Sequence, residues 1–525
     1  MNKKIFAGIA IACLILLVSL MPPVLSRDVD IGAGDTLGVY GNANEDDTID
    51  ERDITYVKEI ITGKRRATKL ADANYDGKIN VDDITQIRAI IAGREKELTI
   101  IDSEGNAKTI PMPIETIVTL NPDSTQAVRL LGEKEKIVGI EVSTWAQQVF
   151  FPHIASNAEE IGMGAMPDIE AIQELDPDIV IVYAPGIYNP PHETVIPGVY
   201  VGLEENLEPE IPVLRLDLYA IPTVRDEVRR LGYLLDAEDK ADEYVEWYDR
   251  SVNPIIDRGR GISDAEKPDF YTELGLPFSM VTGWERYGSP VDETIGLMGL
   301  GGMPHMTMTD DCMWADMWTS GGKNIADDLP SLDVQELLGN AMPRITEILG
   351  MVRPIENIVI MKGASLVEHE WIIEQDPEVI PGLAAGFNFR VGGYETDNPA
   401  ETDVSKLYLE KYIPVMRDIA RHFGFLMGLM IDADEIGMKP YYDDLREEFG
   451  GTTAGYDDRI FVLHHTVVCG PGSPVGLAYL AKILQPEIYS DLDPVEMQQQ
   501  YVDQFTGINF DVSKHGVFVY PPLPG

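Results

Sequence analysis

The chain contains 525 residues, 44% of them hydrophobic, and its 41 basic and 88 acidic residues give a formal net charge of −47. This length allows several domains with buried cores. The excess of negative charge argues against nucleic acid and anionic lipid surfaces as partners, because both present phosphate groups of the same sign.

The first 26 residues are predicted to be an export signal or an anchor. Two lysines precede an unbroken apolar run from Ile5 to Met21, and two prolines end it. The pattern is typical of a signal peptide cleaved after Ser26, or of an uncleaved amino-terminal membrane anchor. Both alternatives predict that residues 27–525 are exported and extracytoplasmic, at the cell surface or tethered to a membrane. Residues 27–40 are predicted to be a linker.

Two acidic loops, thirty residues apart, follow within residues 41–95. Each places oxygen-bearing side chains at the loop positions from which calcium takes its six to eight ligands. The predicted ligands are Asn42, Asn44, Asp46, the carbonyl of Thr48, Asp50 and Asp53 in loop 1, and Asp72, Asn74, Asp76, the carbonyl of Lys78, Asn80 and Asp83 in loop 2. Gly77 occupies the sharp turn of loop 2, but Asp47 stands at that position in loop 1. Loop 1 is therefore expected to be the weaker site; the alternative is an acidic turn without metal.

One helix is predicted after each loop, in the segments ITYVKEIITG and ITQIRAIIAG. The loop–helix pair resembles a dockerin module, a small all-α domain. The resemblance implies calcium as a cofactor and a cohesin-like protein as a partner. A module of this kind can also act as a rigid spacer or as a clamp that folds back on the chain.

Strands that alternate with helices predict a parallel α/β lobe over residues 98–222. A hairpin comes first, and IVTLNPDSTQAVRLLG then predicts a strand, a polar turn and a helix capped by Asp123 or Ser124. Ligands bind to such sheets at the carboxyl ends of the strands. The candidate ligand residues near these ends are Asn121, Trp145, Tyr183 and Tyr188.

A ten-residue segment occurs twice, as EAIQELDPDI at 170–179 and as EWIIEQDPEV at 370–379. Each copy predicts a short helix, a stop at proline and an apolar strand. A helix–proline–strand unit in each half of the chain predicts two similar α/β lobes, the second over residues 261–525.

An amphipathic pattern separates the two lobes. It runs from Thr223 to Ile256 and predicts one long helix of about 50 Å, at about 1.5 Å per residue, with a bend near Asp236. Residues 223–260 are therefore assigned as an interlobe helix.

Several stretches resemble the substrate-binding proteins of ABC importers for ferric chelates, haem and cobalamin. The stretches are IVTLNPDSTQAVRLLG, KIVGIEV, MPDIEAIQELDPDIVIV, GGKNIADDL, EHEWIIEQDPEVI, DRIFVL and GPGSPVGLAYLAKILQPEIYSDLDP. The resemblance implies two Rossmann-like lobes joined by a rigid helix, a metal-chelate ligand such as a ferric siderophore, haem or cobalamin, and an ABC permease as partner. It also implies that Glu170 and Glu370, one on each lobe, dock into that permease.

The resemblance also indicates ligand-contacting residues on the second lobe. The stretch GWERYGS supplies Trp284, Arg286 and Tyr287, and His464 and His465 follow the strand RIFVL. The arginine would pair with an anionic chelate, and the aromatic rings would cover a planar ligand.

The second lobe is longer than the family's usual lobe, with extra sequence at about 297–318, 331–362 and 384–455. The first insertion contains six methionines with His305 and Cys312, which predicts either a packed flap or a soft-metal site. Cys312 and Cys469 follow the leader, and either a disulfide or two buried thiols would suit them. No hydrolase, phosphate-loop or zinc-protease motif is present, so no enzymatic activity is expected. The alternative function is cell-surface assembly through the calcium-binding module.

Overall fold

The computed structural model describes residues 37–163, 166–184, 203–274, 304–308, 321–330, 364–384, 393–398 and 438–523. Within these ranges no helix combines the length and the apolar character needed to cross a bilayer. The predicted leader, the insertion at 331–362, and Cys312 lie outside the described residues, so the disulfide remains a prediction.

The first structural unit contains the two acidic loops and two helices, α1 (Glu51–Ile61) and α2 (Val81–Ile91). Each helix begins with a capping box, in which Asp50 or Asn80 exchanges hydrogen bonds with the third helical residue. Equivalent apolar residues of the two helices form one small core; the buried members are Ala43, Ile54, Val57, Ala71, Ala73, Ile84 and Ile87. The sequence repeat is therefore a structural repeat.

The first lobe begins with a hairpin of β1 (Glu97–Ile101) and β2 (Ala107–Pro111). Its five-stranded parallel sheet contains β3 (Ile117–Thr119), β4 (Ile137–Ile140), β5 (Glu159–Glu160), β8 (Ile179–Tyr183) and β9 (Val213–Leu216). A separate two-stranded sheet contains β6 (Gly162–Met163) and β7 (Met166–Pro167). The helices are α3 (Pro122–Leu130), α4 (Val142–Ala146), α5 (Ile154–Asn157), α6 (Ile169–Leu175) and α7 (Leu203–Leu207). The strand order is β5-β4-β3-β8-β9, so the chain reverses its direction of winding between β3 and β8.

The predicted single interlobe helix is wrong, because the pattern forms two helices, α8 (Ile221–Leu234) and α9 (Glu238–Arg260). Asp236 adopts a left-handed backbone with φ 54°, which a continuous helix does not allow. The two helices then pack in antiparallel fashion, since Tyr248 of α9 donates a 2.6 Å hydrogen bond to the carbonyl of Ile221 at the start of α8. Helix α9, with 23 residues, is the segment that leads into the second lobe.

The second lobe contains a six-stranded mixed sheet in the order β14-β12-β11-β15-β16-β17. Its strands are β11 (Glu273–Leu274), β12 (Pro304–Met308), β14 (Ala364–Glu368), β15 (Ile380–Ala384), β16 (Ile460–His464) and β17 (Val519–Tyr520), and a short parallel pair joins β10 (Asp269–Phe270) to β13 (Lys323–Asn324). The helices are α10 (His369–Gln375), α11 (Met438–Phe449), α12 (Thr453–Tyr456), α13 (His465–Val468), α14 (Ser473–Leu484) and α15 (Pro494–Tyr501). Strands β11, β15 and β16 are parallel, as an α/β lobe requires.

The two copies of the repeated segment have the same local structure. Ile172 and Ile372 are fully buried, and Asp176 and Asp376 end their helices with φ 46° and 50°. The copies lead into β8 and β15, which lie inside two different sheets. The two copies therefore occupy equivalent places in two different sheets of a mixed α/β fold.

Candidate functional site

The carboxyl ends of β3 and β8 form the topological switch point of the first sheet. Strand β4 and then β5 extend the sheet on one side of β3, whereas β8 and β9 extend it on the other. Loops that leave a switch point diverge and open a crevice, which is where open α/β sheets bind ligands. Asn121 follows β3 and Tyr183 ends β8, so two of the predicted ligand residues lie at this point.

Helix α3 starts at the switch point, and its cap differs from the prediction. Asn121 is the capping residue, and its Oδ1 accepts a 2.7 Å hydrogen bond from the backbone N–H of Ser124. Asp123 and Ser124, predicted as alternative caps, lie inside the helix, because Pro122 supplies the fixed φ of its first turn. Asn121 is 1% exposed, and its Nδ2 has no hydrogen-bond partner among the described residues.

Asp123 connects the two strands of the switch point and was missed as a site residue. Its Oδ2 accepts a 2.6 Å hydrogen bond from the Tyr183 hydroxyl. Its Oδ1 is buried without a hydrogen-bond partner in the described ranges. Burial raises the pKa of the carboxyl to about 7, against the opposing effect of the Tyr183 hydrogen bond. A polar side chain in the turn NPDST was the only available signal in the sequence.

The second lobe contacts Asp123 through Gly470. A Cβ at that glycine would lie 2.3 Å from Asp123 Oδ1, and its φ of 67° also favours glycine. The N–H of Gly470 donates a 2.8 Å hydrogen bond to the carbonyl of Tyr219, which follows β9. The switch point of the first lobe therefore faces the second lobe directly.

An aromatic chain crosses the same boundary. The rings of Tyr183 and Tyr219 are 5.5 Å apart in an edge-on arrangement, and the ring of His465 lies 5.9 Å from that of Tyr219. Burial, the largest cause, and the adjacent thiol of Cys469 raise the pKa of Tyr219 well above its usual value. The structure thus brings the predicted residues Tyr183 and His465 together, through a tyrosine that the sequence analysis did not select.

The other described candidates lie nearby in different environments. Trp145 is half-buried within α4, next to the core of the first lobe. Glu141 caps α4 and is fully buried, with hydrogen bonds from Ser143 and Thr144. His464 ends β16, is 2% exposed, and uses Nδ1 to cap α13 through the N–H of Thr466. The remaining candidates, Tyr188, Trp284, Arg286 and Tyr287, lie outside the described residues.

A second contact between the lobes involves residues 393–398, within the predicted insertion at 384–455. Tyr394 stacks on Phe150 of the first lobe, with ring centroids 4.2 Å apart and planes at 9°. Glu395 accepts hydrogen bonds of 3.1 Å from the N–H of Val149 and 3.0 Å from that of Phe150. Burial raises the pKa of Glu395 to about 7, although both N–H groups oppose the shift.

Arg129 of the first lobe also lies against Phe150. This guanidinium lies 4.2 Å from the centroid of the Phe150 ring and 4.6 Å from that of Phe151. It also donates to the carbonyl of Phe150, and burial lowers its pKa to about 10. The predicted insertion therefore supplies part of the interlobe contact, which its sequence did not indicate.

The two glutamates predicted to dock to a permease occupy equivalent positions. Glu170 and Glu370 are each the second residue of a seven-residue helix, α6 and α10, and both side chains are exposed. Because the two helices bury Ile172 and Ile372 respectively, their acidic sides face solvent on both lobes. Their role in docking stays a prediction.

The acidic loops share an unusual backbone. Residues Glu45 and Asp47 in loop 1, and Tyr75 and Gly77 in loop 2, have φ between 55° and 83°. These are the fourth and sixth positions of each loop, so Asp47 adopts the left-handed conformation expected of glycine. The side chains of the first, third and fifth positions turn inward and accept backbone N–H groups, as Asn42 does from Asp46 at 3.2 Å.

The chemistry of these side chains suits calcium. Each loop offers only oxygen donors, from aspartate, asparagine and backbone carbonyl groups, which is the ligand type that calcium requires. Asp53 and Asp83 are fully buried and each accepts two backbone N–H groups, which orients their oxygens. Throughout the described ranges, no three histidine, cysteine, aspartate or glutamate side chains gather as a metal-binding group. The asparagine and carbonyl donors would therefore have to complete each set.

One family model matches part of this chain. Residues 117–287 match the family model described as "Periplasmic binding protein". An uncharacterized ABC transporter substrate-binding lipoprotein, YvrC of Bacillus subtilis (strain 168), is 24% identical over 174 residues, or 33% of this chain. The chain spans about half the length of this curated relative, since the alignment covers 51% of it.

Solved structures with a similar course of the chain include three bacterial proteins. The TroA-like periplasmic binding protein FepB of Veillonella parvula is 16% identical, covers 80% of this chain and 98% of its own, and has a TM-score of 0.49. CeuE of Helicobacter pylori with Ni(II) bound is 13% identical, with 79% of this chain and 98% of CeuE covered and a TM-score of 0.46. A periplasmic heme binding protein of Pseudomonas aeruginosa is 15% identical, with 71% of this chain and 94% of that protein covered and a TM-score of 0.40.

The matched segment can be compared with the architecture. It begins at the first residue of β3 and includes the whole parallel sheet, the switch point and the helix pair α8–α9. The similarity to the "Periplasmic binding protein" model therefore covers the first sheet and the helix pair that follows it.

Proposed function

We propose that the protein is an extracytoplasmic substrate-binding protein that captures a metal chelate and delivers it to an ABC importer. The observation that carries the proposal is the switch point of the first sheet, which faces the second lobe across Asp123 and Gly470. A guest held there would contact both lobes, and its presence would change how they meet. The family match over residues 117–287 and the lipoprotein relative support this reading.

The guest is proposed to be a ferric siderophore, haem or cobalamin. Tyr183, Tyr219 and His465 provide aromatic surfaces at the boundary of the lobes. Such surfaces suit large ligands with flat or apolar faces. Asp123 and Asn121 contribute buried polar atoms without partners among the described residues, and these would fix the orientation of a polar edge.

The proposal is tested first by binding. The full-length protein is titrated with ferric chelates, haem and cobalamins while tryptophan fluorescence is followed. Binding of at least one class with a dissociation constant below about 10 µM, or about −7 kcal/mol, is expected. Failure of all three classes at that concentration would remove the chelate-binding function.

Delivery is tested by reversing charge on the exposed helices α6 and α10. Glu170→Arg with Glu370→Arg is expected to abolish uptake while ligand binding is unchanged, because exposed charges steer protein association. Glu174→Arg with Glu374→Arg is the matched control, since these residues are exposed on the same two helices. If both double variants lose uptake equally, the effect is a general one of charge, and specific docking through Glu170 and Glu370 is refuted.

The second candidate function is calcium-dependent docking of the loop–helix unit to a cohesin-like protein. Four of the eight large hydrophobic side chains that are exposed in the described ranges belong to this unit: Ile61, Tyr75, Val81 and Ile91. Exposed apolar side chains concentrated in one small unit favour a binding surface. Binding of purified cohesin domains that is lost with a chelator, and weakened in Ile61→Ala, would support this function; no binding to any of them would exclude it.

A further inference from the structure

The loop–helix unit is attached to the first lobe by residues 37–41, here called the strap. The predicted linker ends inside this strap, so the linker boundary at residue 40 is wrong. Val39 forms an antiparallel bridge with Ile100 at the edge of the hairpin, and it is fully buried. Tyr40 N–H donates to the carbonyl of Thr99 at 2.9 Å, and Ile101 N–H donates to that of Gly38 at 2.7 Å. The strap thus pairs with β1 through one bridge and its flanking hydrogen bonds, and then runs directly into loop 1.

Loop 1 holds the start of the strap through Asp47. The carboxylate of Asp47 accepts a hydrogen bond from the N–H of Leu37. Arg229 of helix α8 interacts electrostatically with this carboxylate. The residue that departs from the usual glycine therefore makes a contact that glycine could not make.

Helix α8 holds the same end of the strap from the other side. Arg230 donates from Nε to the carbonyl of Leu37 at 3.3 Å. Its Nη1 pairs with both carboxylate oxygens of Glu227 at 2.8 Å, and both side chains are largely buried. Leu37 is therefore bound on one side by loop 1 and on the other by the helix that begins the interlobe pair.

Loop 2 contacts the strap through an aromatic pair instead, with the ring of Tyr75 edge-on to that of Tyr40 and the centroids 4.9 Å apart. Gly77, at the position of Asp47, has no atom within 4 Å of where its Cβ would stand. Helix α2 contributes Ile90 to the core of the first lobe, and Gln86 donates to the carbonyl of Glu97 at 2.9 Å. The unit therefore reaches the lobe through loop 1 and helix α2, and loop 2 contacts the strap at Tyr40 rather than at Leu37, the residue that α8 binds.

We propose that the loop–helix unit is a calcium-dependent brace of the first lobe, in which loop 1 transmits metal binding to the strap and helix α8. The inference rests on the calcium site proposed above. Asn42, the first ligand position, is fully buried directly after the strap and turns its side chain into loop 1. Its Nδ2 has no hydrogen-bond partner among the described residues. Metal at loop 1 would order both Asn42 and Asp47, and with them Leu37.

The test compares hydrogen exchange of the full-length protein with and without calcium, using mass spectrometry of peptides from 37–41, 98–101 and 221–234. Isothermal titration measures calcium binding in the same samples. The wild type is expected to bind two calcium ions and to exchange at least about tenfold more slowly in these peptides when loaded. Asp46→Ala removes a ligand position of loop 1 and should abolish the protection of 221–234, whereas the matched change Asp76→Ala in loop 2 should leave it.

Asp47→Gly provides the decisive variant, because glycine suits the left-handed backbone and Asp47 is not a ligand position. It should bind calcium at both loops as well as the wild type does, yet lose the calcium-dependent protection of 221–234. The brace would be overturned if Asp47→Gly kept the calcium-dependent protection of 221–234 from hydrogen exchange. It would also be overturned if the two loop variants lost this protection equally. Calcium binding without any change in exchange would overturn the brace alone, whereas absence of calcium binding would overturn the proposed metal site and the brace together.

Discussion

Glu395 offers the sharpest test of the contact between the lobes. Its carboxylate accepts backbone N–H groups of Val149 and Phe150, although it belongs to the second lobe. The substitution Glu395→Gln keeps an oxygen that can accept the same hydrogen bonds and removes the titration. Any difference in pH dependence between the two proteins therefore reports on this one group.

The size of the pH-dependent change in the free energy of unfolding follows from the change in the pKa of Glu395. Burial raises the pKa of Glu395 from 4.5 to about 7, so the folded protein holds this proton more tightly than the unfolded chain does. The resulting stabilisation is fully present below pH 4.5 and is lost as the pH rises towards 7. At about 1.4 kcal/mol per tenfold change in proton concentration, the loss amounts to about 3 kcal/mol.

The assay is urea unfolding followed by tryptophan fluorescence at several pH values between 4.5 and 7.5. The free energy of unfolding of the wild type is expected to fall, relative to that of Glu395→Gln, by about 3 kcal/mol across this range. Asp123, whose pKa is also raised to about 7, titrates in both proteins and cancels in the comparison. Parallel pH profiles would show that Glu395 is solvated and that the contact between the lobes is not formed in solution.

Two further substitutions test packing and backbone geometry. Gly232→Ala should destabilise the protein by about 1–3 kcal/mol in urea unfolding, because its new Cβ would lie 2.5 Å from a methyl group of α9. Gly451→Ala, with nothing within 4 Å of the Cβ position, is its control and should change stability by less than about 0.5 kcal/mol. Asp376→Gly should lower the free energy of unfolding by about 1–2 kcal/mol, because the carboxylate of Asp376 accepts two hydrogen bonds from Thr453. Asp176→Gly, at the same left-handed position of the first repeat, loses no side-chain hydrogen bond to the described residues and should be close to neutral in the same measurement. Equal losses of stability at both positions would contradict this reasoning.

The repeated segment was predictable because its information is local. A buried isoleucine, an aspartate and a proline define a short helix and its end within ten residues. The structure repeats each feature, including the left-handed backbone at Asp176 and Asp376. The acidic loops were predictable for the same reason, since the fourth and sixth positions of both loops adopt positive φ.

The break between α8 and α9 was not predictable from periodicity. The apolar stripe continues through Asp236 with helical spacing, so the pattern allows an uninterrupted helix. The fold-back depends on a tertiary contact, because the absence of a side chain at Gly232 lets α9 approach α8 closely at Ala241. A bend near Asp236 was foreseen, but its extent was determined by packing between the helices.

The site was only partly predictable, because its residues meet through the fold. Asn121 and Tyr183 were selected because they stand at the ends of strands, and the structure places them at the switch point. Asp123 and Tyr219 acquire their roles only when Gly470 of the second lobe approaches them. Glu395 lies in an insertion without a readable motif, so its contact with the first lobe could not be inferred from sequence.

The topology also bears on the second-lobe residues that the resemblance indicated. In the second sheet β12 and β14 extend one side of β11, whereas β15, β16 and β17 extend the other, so its switch point lies between β11 and β15. Strand β15 follows the second repeat as β8 follows the first, which makes the two switch points equivalent. The segment that contains Trp284, Arg286 and Tyr287 follows Leu274, the last residue of β11. By strand order, the ends of β11 and β15 correspond to the ends of β3 and β8, where Asn121 and Tyr183 lie, and the ligand role of Trp284, Arg286 and Tyr287 stays a prediction.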